Sequence, residues 1–95
     1  MEIEKEVILL MSQGDEKAYG IMFRKFYPKV HRFVSMLLKN MDDADDVCQI
    51  IFEKIWRKRQ KFAEIKDFDS YLFILVKYTV INYISTKRVI PIDID

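Results

Sequence analysis

Apolar residues recur at intervals of three and four positions in three long segments of the chain. In the middle segment they gather on one side of a helix with about 3.6 residues per turn, at Ala44, Val47, Cys48, Ile51, Phe52 and Ile55. An earlier segment, from Glu16 to about Asn40, keeps the same rhythm, and a later one runs from Asp69 to about Lys87. The pattern predicts three principal helices that each bury one side.

A shorter amphipathic stretch, Glu4 to Met11, predicts an additional N-terminal helix. Gln13-Gly14 would end it, and Asp15 would cap the helix that follows. Pro28 lies inside the segment from Glu16 to about Asn40, so we expect a kink or a local break near Arg24 to Pro28. The predicted fold class is all-α, a compact bundle of three principal helices plus the short N-terminal helix, with no β-strand.

The expected core draws on all three principal helices. It comprises Phe23, Phe26, Val30, Val47, Ile51, Phe52, Ile55, Leu72, Val76 and Tyr83. On the last helix, the residues predicted to face inward are Leu72, Leu75, Val76, Val80 and Tyr83. The opposite stripe comprises Ser70, Lys77, Tyr78, Ile81, Ser85 and Arg88, with Asn82 at its edge.

The outer side of the middle helix combines acids with an amide and the chain's only tryptophan, at Asp45, Asp46, Gln49, Glu53 and Trp56. Carboxylates in a first helical turn stabilise the helix by about 0.3–1 kcal/mol each, and capping alone could explain Asp42 and Asp43. Capping explains less well why the acidic character continues for three turns. The outer side therefore suggests a binding partner.

Charge is sorted along the chain although the formal net charge is only +1. Six Lys or Arg and no acid lie between Lys17 and Met41, four acids lie between Asp42 and Asp46, and five basic residues lie between Lys54 and Lys61. Ninety-five residues support one small domain. Sorted charge on such a domain suggests one partner attracted by acid and another attracted by base.

Membrane and secreted classes do not fit the sequence. The apolar run Tyr71 to Ile84 is interrupted by Lys77 and falls short of the about 20 residues that a membrane span needs. The single cysteine, Cys48, cannot form an internal disulfide and lies on the apolar side, as a small hydrophobe in a reducing compartment would. We expect a cytoplasmic protein without membrane insertion.

Catalytic and metal sites are also disfavoured. Asp42 to Asp46 formally matches the aspartate-rich magnesium motif of isoprenoid synthases, but those enzymes need a large helical bundle and a second acidic cluster. A calcium-binding loop fails because the ligand series and the turn glycine are missing. His31 has no second histidine with which to form a typical metal cluster. No catalytic residue, metal or cofactor is expected.

Basic and aromatic residues alternate after Trp56, at Lys58, Arg59, Lys61, Phe62 and Phe68. Single-stranded nucleic acid binds such segments through cations on phosphates and through rings stacked on bases, at about 1–3 kcal/mol per base. Alternatively, Phe62 and Phe68 pin the connection to the core while the lysines only solvate it. The residues alone favour this second interpretation.

Three stretches resemble the second conserved region of bacterial sigma factors, particularly the extracytoplasmic-function (ECF) group. The resemblance is carried by Ala44-Asp45-Asp46-Val47 with Gln49, Phe52, Ile55 and Trp56, and earlier by Phe26-Tyr27-Pro28-Lys29-Val30. The chain departs from that pattern at Ile50, where the family usually has an acid. The last helix resembles the family's promoter-engaging helix, with Val76-Lys77-Tyr78 in place of Ala-Arg-Asn and Asn82 in place of Asp.

The resemblance implies a transcription initiation domain. Asp45, Asp46, Gln49, Glu53 and Trp56 would bind the clamp helices of the largest subunit of RNA polymerase core. The −10 promoter element would be recognised as a melted non-template strand. The residues implied in DNA binding are Lys58, Arg59, Lys61, Phe62, Phe68, Ser70, Tyr71, Lys77, Tyr78, Asn82, Ser85 and Arg88. An anti-sigma protein is a further implied partner. A helical protein-interaction module without a nucleic-acid role stays open as the alternative.

The resemblance also implies a domain boundary. Residues 1–88 would form the region 2 domain, and residues 89–95 would begin a linker. In this family such a linker leads to a second helical domain that reads the distal promoter element, which the sequence lacks. We therefore expect the chain to be a fragment of a longer factor, with an unusual stand-alone form as the alternative.

Overall fold

The computed structural model describes residues 4–87, which contain four α-helices and no strand. The helices are α1 (Lys5–Ser12), α2 (Glu16–Leu38), α3 (Met41–Arg57) and α4 (Phe68–Lys87), and a 3₁₀ helix (Arg59–Glu64) connects α3 to α4. Helix α2 packs against α1, α3 and α4, while α1 also contacts the 3₁₀ helix. The predicted all-α bundle with a short N-terminal helix is confirmed.

Short polar side chains begin the helices where the sequence placed caps. The carboxylate of Asp15 accepts hydrogen bonds from the backbone N–H groups of Lys17 and Ala18 at the start of α2. Gly14, just before it, has a φ of 96°, a left-handed conformation that glycine adopts without a Cβ clash. Both features confirm the predicted boundary between α1 and α2.

The start of α3 uses a residue that the sequence pattern did not indicate. Its cap is Asn40, whose side-chain oxygen accepts from the backbone N–H of Asp43 at 3.0 Å. Asp42 and Asp43 lie in the first turn instead. There they oppose the positive end of the helix dipole, as the capping interpretation requires.

Helix α2 continues through Pro28, so of the expected kink or local break the break is absent. Pro28 is exposed, and so is Arg24, the residue whose carbonyl loses its hydrogen-bond donor. The packing of α2 against α1, α3 and α4 keeps the helix intact despite the missing hydrogen bond.

The core lies where α2, α3 and α4 meet. All of the expected core residues are buried except Phe23 and Tyr83, whose rings are partly buried against the others. The six apolar positions predicted on the inner side of α3 are all buried. A polar bond reinforces this packing, because the Tyr19 hydroxyl donates to the carbonyl oxygen of Phe52 at 2.9 Å and so joins α2 to α3.

Candidate functional site

One candidate surface covers the outer side of α3. We call it the acidic surface and define it as Asp45, Asp46, Gln49, Glu53 and Trp56. The four polar residues are exposed, and Trp56 is half-buried at the C-terminal end of the helix. Periodicity places them together because the inner positions of α3 are taken by the core. The structure therefore brings together the residues that the sequence grouped.

Hydrogen bonds tie two of these carboxylates, Asp45 and Asp46, to side chains of other helices. Asp45 Oδ1 lies 2.7 Å from His31 Nε2 on α2. Asp46 accepts from the Tyr83 hydroxyl at 3.3 Å, and that hydroxyl also donates to Asp43 at 2.9 Å. The acidic surface is thus held in place by contacts to both α2 and α4.

Burial and the neighbouring acids raise the pKa of Tyr83, with burial the larger cause. The phenol therefore stays protonated and able to donate throughout the neutral range. Glu53 pairs within its own helix with Arg57, at 3.2 Å. The hydrogen bond to Glu53 raises the pKa of Arg57. Both side chains are mostly exposed, so this pair stabilises the helix little and can exchange for a partner's cation.

Trp56 contacts two neighbouring side chains. The indole and the ring of Tyr19 meet edge to face, with centroids 5.0 Å apart. The guanidinium of Arg59 lies 4.2 Å from the indole centroid, while Arg59 Nη1 donates to the Trp56 carbonyl. Trp56 is therefore partly a packing residue and partly a surface residue. An open cleft of about 550 Å³ next to it is lined by Glu16, Tyr19, Phe23, Gln49, Phe52, Glu53 and Trp56.

Cys48 and His31 take structural positions. Burial raises the pKa of the Cys48 thiol to about 11, so the thiol is protonated and poorly nucleophilic at neutral pH. His31 lies at the edge of the core and contacts Asp45 and, at 3.4 Å, Ser35. Across residues 4–87, no group of three or more His, Cys, Asp or Glu side chains is arranged to hold a metal ion.

The connection between α3 and α4 needs a correction to the expected DNA-binding set. Phe62 and Phe68 are buried, and their rings meet edge to face 5.3 Å apart. Buried rings cannot offer a stacking face to a base, so the interpretation in which they pin the connection to the core is the one the structure supports. Arg59 turns towards Trp56, whereas Lys58 and Lys61 are exposed.

A cavity of about 430 Å³ lies beside this connection. It is lined by Phe62, Ala63, Glu64, Ile65, Lys66, Asp67, Phe68 and Asp69, and from α1 by Lys5, Ile8 and Leu9. The sequence indicated the connection but missed the contribution of α1. Leu10, expected on the apolar side of α1, is exposed, and so is Leu9, which lines the cavity. The signal in the sequence was the continuous apolar run from Val7 to Met11, which is wider than one side of a short helix.

The residue that caps α4, Asp67, also lines this cavity. The Asp67 carboxylate accepts from the Ser70 hydroxyl at 2.8 Å and from the Ser70 backbone N–H at 3.1 Å. These hydrogen bonds lower the pKa of Asp67, with the hydroxyl the larger cause. Ser70, expected to bind DNA, is exposed but already serves in this cap.

The outer side of α4 forms the second candidate surface. Lys77, Tyr78, Asn82 and Ser85 are exposed, and Tyr71 is half-buried with its ring against Phe62. Arg88 and the proposed linker, residues 89–95, lie outside the described residues. Large apolar side chains not in the expected site share this side or flank it, namely Phe73, Ile74 and Ile81.

Comparison with known proteins gives one finding that bears on these surfaces. The protein-family model described as Sigma-70 region 2 matches residues 22–89, which include most of α2 and all of α3 and α4. Neither the curated proteins nor the solved structures include a significant match to the chain. In the part of the chain from residue 4 to residue 87, no helix has both the length and the apolarity of a membrane span.

Proposed function

The chain belongs to the sigma-70 region 2 family, and on this premise we propose that it is the promoter-recognition domain of an ECF sigma factor. Family membership implies binding to RNA polymerase and recognition of the −10 promoter element. The match over residues 22–89 is the observation that carries this function. The domain is a transcription factor domain and not an enzyme.

Polymerase binding is proposed for the acidic surface. Its carboxylates suit a basic partner, and the clamp helices of the largest polymerase subunit are the partner that the family resemblance implies. Trp56 supplies a partly exposed aromatic ring beside an open cleft, which is the type of residue that anchors protein interfaces. The proposal is supported by the grouping of acid, amide and indole on one side of α3.

DNA binding is proposed for α4 and for the connection that precedes it. The exposed cations Lys58, Lys61 and Lys77 suit phosphates. The cavity beside residues 62–69 is large enough for a flipped base, and its polar rim includes Lys5 and Asp67. Phe62 and Phe68 form its inner wall by packing together, and they are not proposed as stacking platforms.

The mechanism that we propose is selective affinity without bond making or breaking. A domain that binds the unpaired non-template strand more tightly than the duplex shifts the equilibrium towards the melted promoter. The shift equals the difference in affinity for the two states and no more. An anti-sigma protein that covers either surface would oppose this shift, and it is part of the proposal.

The test of this function is an exchange of residues 63–67 for the corresponding loop of another family member. Phe62 and Phe68 are retained because they are buried in the core. With polymerase present and a pre-melted template, we expect the preferred base to change while the salt dependence of affinity stays nearly constant. Lys61→Gln is the matched control, and it should weaken binding to all strands alike.

Two results would contradict this assignment. If the exchange weakens binding to every strand without changing base preference, the connection is only an electrostatic and packing element. If the chain shows neither strand preference nor salt dependence with single-stranded and duplex oligonucleotides, the alternative of a protein-interaction module is favoured.

A further inference from the structure

The outer side of α4 carries an apolar stripe that the domain core does not use. Ile74, Tyr78 and Ile81 follow one another at spacings of four and three residues, which places them on the same side of the helix. Their exposed fractions are 52%, 59% and 47%. A contiguous apolar surface of this kind usually marks a site of interaction.

The charges around this stripe indicate what it binds. Lys77 lies at one flank and the amide of Asn82 at the other, and both are exposed. Between Asp69 at the start of α4 and the end of the helix there is no acidic residue. A surface with an apolar centre, a cation and no carboxylate suits a polyanion whose apolar groups are accessible, and an unpaired DNA strand meets both conditions.

Within that strand, the side chains on the stripe favour one base. Isoleucine can neither donate nor accept a hydrogen bond, so Ile74 and Ile81 cannot read the polar edges of a base. Thymine alone among the DNA bases carries a methyl group on its ring, and apolar side chains recognise that group by contact. Tyr78 comes between the two isoleucines along the helix, and its side chain is 59% exposed, so its ring is available for a base to stack on.

Resting on the proposed function, we infer that Ile74, Tyr78 and Ile81 form a thymine-reading surface for the unpaired non-template strand. The isoleucines contact the 5-methyl group, Tyr78 stacks on the base, and Lys77 holds the neighbouring phosphate. This surface is a second determinant of base preference, separate from the cavity beside residues 62–69.

Replacing thymine by deoxyuridine tests the inference, because the exchange removes the methyl group and leaves charge and hydrogen-bonding edges unchanged. The probes are single strands of about 12 nucleotides, thymine-rich or with every thymine replaced by uracil, bound to the 95-residue chain in the presence of polymerase core. Burying one methyl group strengthens binding roughly fourfold. We expect the thymine strand to bind at least that much more tightly than the uracil strand.

Variants assign the effect to the stripe. Ile74→Ala combined with Ile81→Ala should bring the ratio of the two affinities close to one, and circular dichroism should show an unchanged fold because both side chains are exposed. Ile21→Ala is the matched control, since Ile21 is similarly exposed on α2; the ratio should be unaffected. Lys77→Gln should weaken binding to both strands equally and flatten the salt slope by roughly 0.7.

The outcomes that overturn the inference differ from those that overturn the proposed function. Equal affinity for the two strands, or a thymine preference that persists in the double variant, refutes the thymine-reading surface alone. A double variant that binds polymerase core less tightly, with the thymine to uracil ratio unchanged, makes the stripe a protein-docking surface and also refutes it. Failure to bind either strand with polymerase present refutes the proposed function, and the inference falls with it.

Discussion

Helices α3 and α4 bury one side against the same bundle but differ on the other side. The outer side of α3 is polar, with Asp45, Asp46 and Glu53 exposed. The outer side of α4 instead carries large apolar side chains among its polar ones, with Ile74 and Tyr78 more than half exposed. Folding of the domain requires one apolar side on each helix, and α3 has little beyond that, namely Met41 at its start and Ile50.

The difference shows that α4 carries more apolar residues than the core of the domain can bury. An apolar residue on the inner side of α3 is explained by burial. An apolar residue on the outer side of α4 is not, because it is exposed to water in the folded domain. The polar bonds of α3 to its neighbours, through His31 and Tyr83, further indicate a surface set in place before any partner binds. A surface like that of α4 is explained by a partner with apolar groups.

The largest effect that separates inner from outer positions is expected at two adjacent isoleucines of α3. Ile51 is fully buried, whereas its neighbour Ile50 is 41% exposed. Ile51→Ala should lower the free energy of unfolding by about 2–5 kcal/mol, because it removes buried contacts and leaves a cavity. Ile50→Ala should change it by less than about 0.5 kcal/mol. Urea denaturation followed by circular dichroism measures both.

An equal loss of unfolding free energy in Ile51→Ala and Ile50→Ala would contradict the contrast between the two sides of α3. Such a loss would mean that Ile50 is buried in solution, for example against another molecule, and that α3 also has an apolar outer side. A concentration-dependent midpoint of unfolding would identify that case.

A smaller effect is expected when the polar side of α3 is disrupted. Asp46→Lys combined with Trp56→Ala should weaken binding to polymerase core by about 2 kcal/mol or more, since an aromatic anchor and a charge are lost together. Glu6→Lys on α1 makes the same charge change away from the acidic surface and serves as the control. Binding is measured by titration of labelled protein against core polymerase.

Trp56 also packs on Tyr19 and Arg59, so the two roles of the indole must be separated. Circular dichroism of Trp56→Ala alone makes this separation. Lost helicity would show that the ring acts mainly in packing, and the weakened binding would then no longer support the acidic surface as the polymerase contact.

The comparison of α3 with α4 also explains which features the sequence could predict. The inner side of α3 and the cap at Asp15 follow from periodicity and local hydrogen bonding, and both were predicted correctly. The residues alone also favoured burial of Phe62 and Phe68, but they could not name the elements that bury them, because α1 and α2 reach the connection from positions distant in sequence. Contacts between residues so far apart leave no periodic signal.

For the candidate site as well, features within one helix could be predicted and contacts between helices could not. The members of the acidic surface could be grouped because one helix carries them all. The hydrogen bonds of Asp45 to His31 and of Asp46 to Tyr83 span 14 and 37 residues, and nothing in the local pattern indicates them. Of the kink or local break expected near Arg24 to Pro28, the break is absent, because the packing of α2 against its neighbours outweighs the local effect of proline.

The smallest effect is expected at Tyr83, the residue through which α4 reaches the acids of α3. Tyr83→Phe keeps the ring and removes the hydroxyl that donates to Asp43 and Asp46. The loss of these partly exposed hydrogen bonds should cost about 1 kcal/mol or less at neutral pH. Thermal and urea unfolding of the variant and the parent chain measure the difference.

The pH dependence of that difference identifies the hydroxyl as its source. The folded pKa of Tyr83 is raised above the ordinary value of 10.0, mainly by burial and then by the bond to Asp43. The stabilisation is therefore fully present below the unfolded pKa, and it is lost as pH rises through the folded one. Tyr83→Phe should consequently lose less stability than the parent chain above about pH 10. Because burial also raises the pKa of Tyr19, part of the alkaline loss should persist in the variant. If the free energy of unfolding falls equally in the two proteins above about pH 10, the Tyr83 hydroxyl does not couple α4 to the acidic surface.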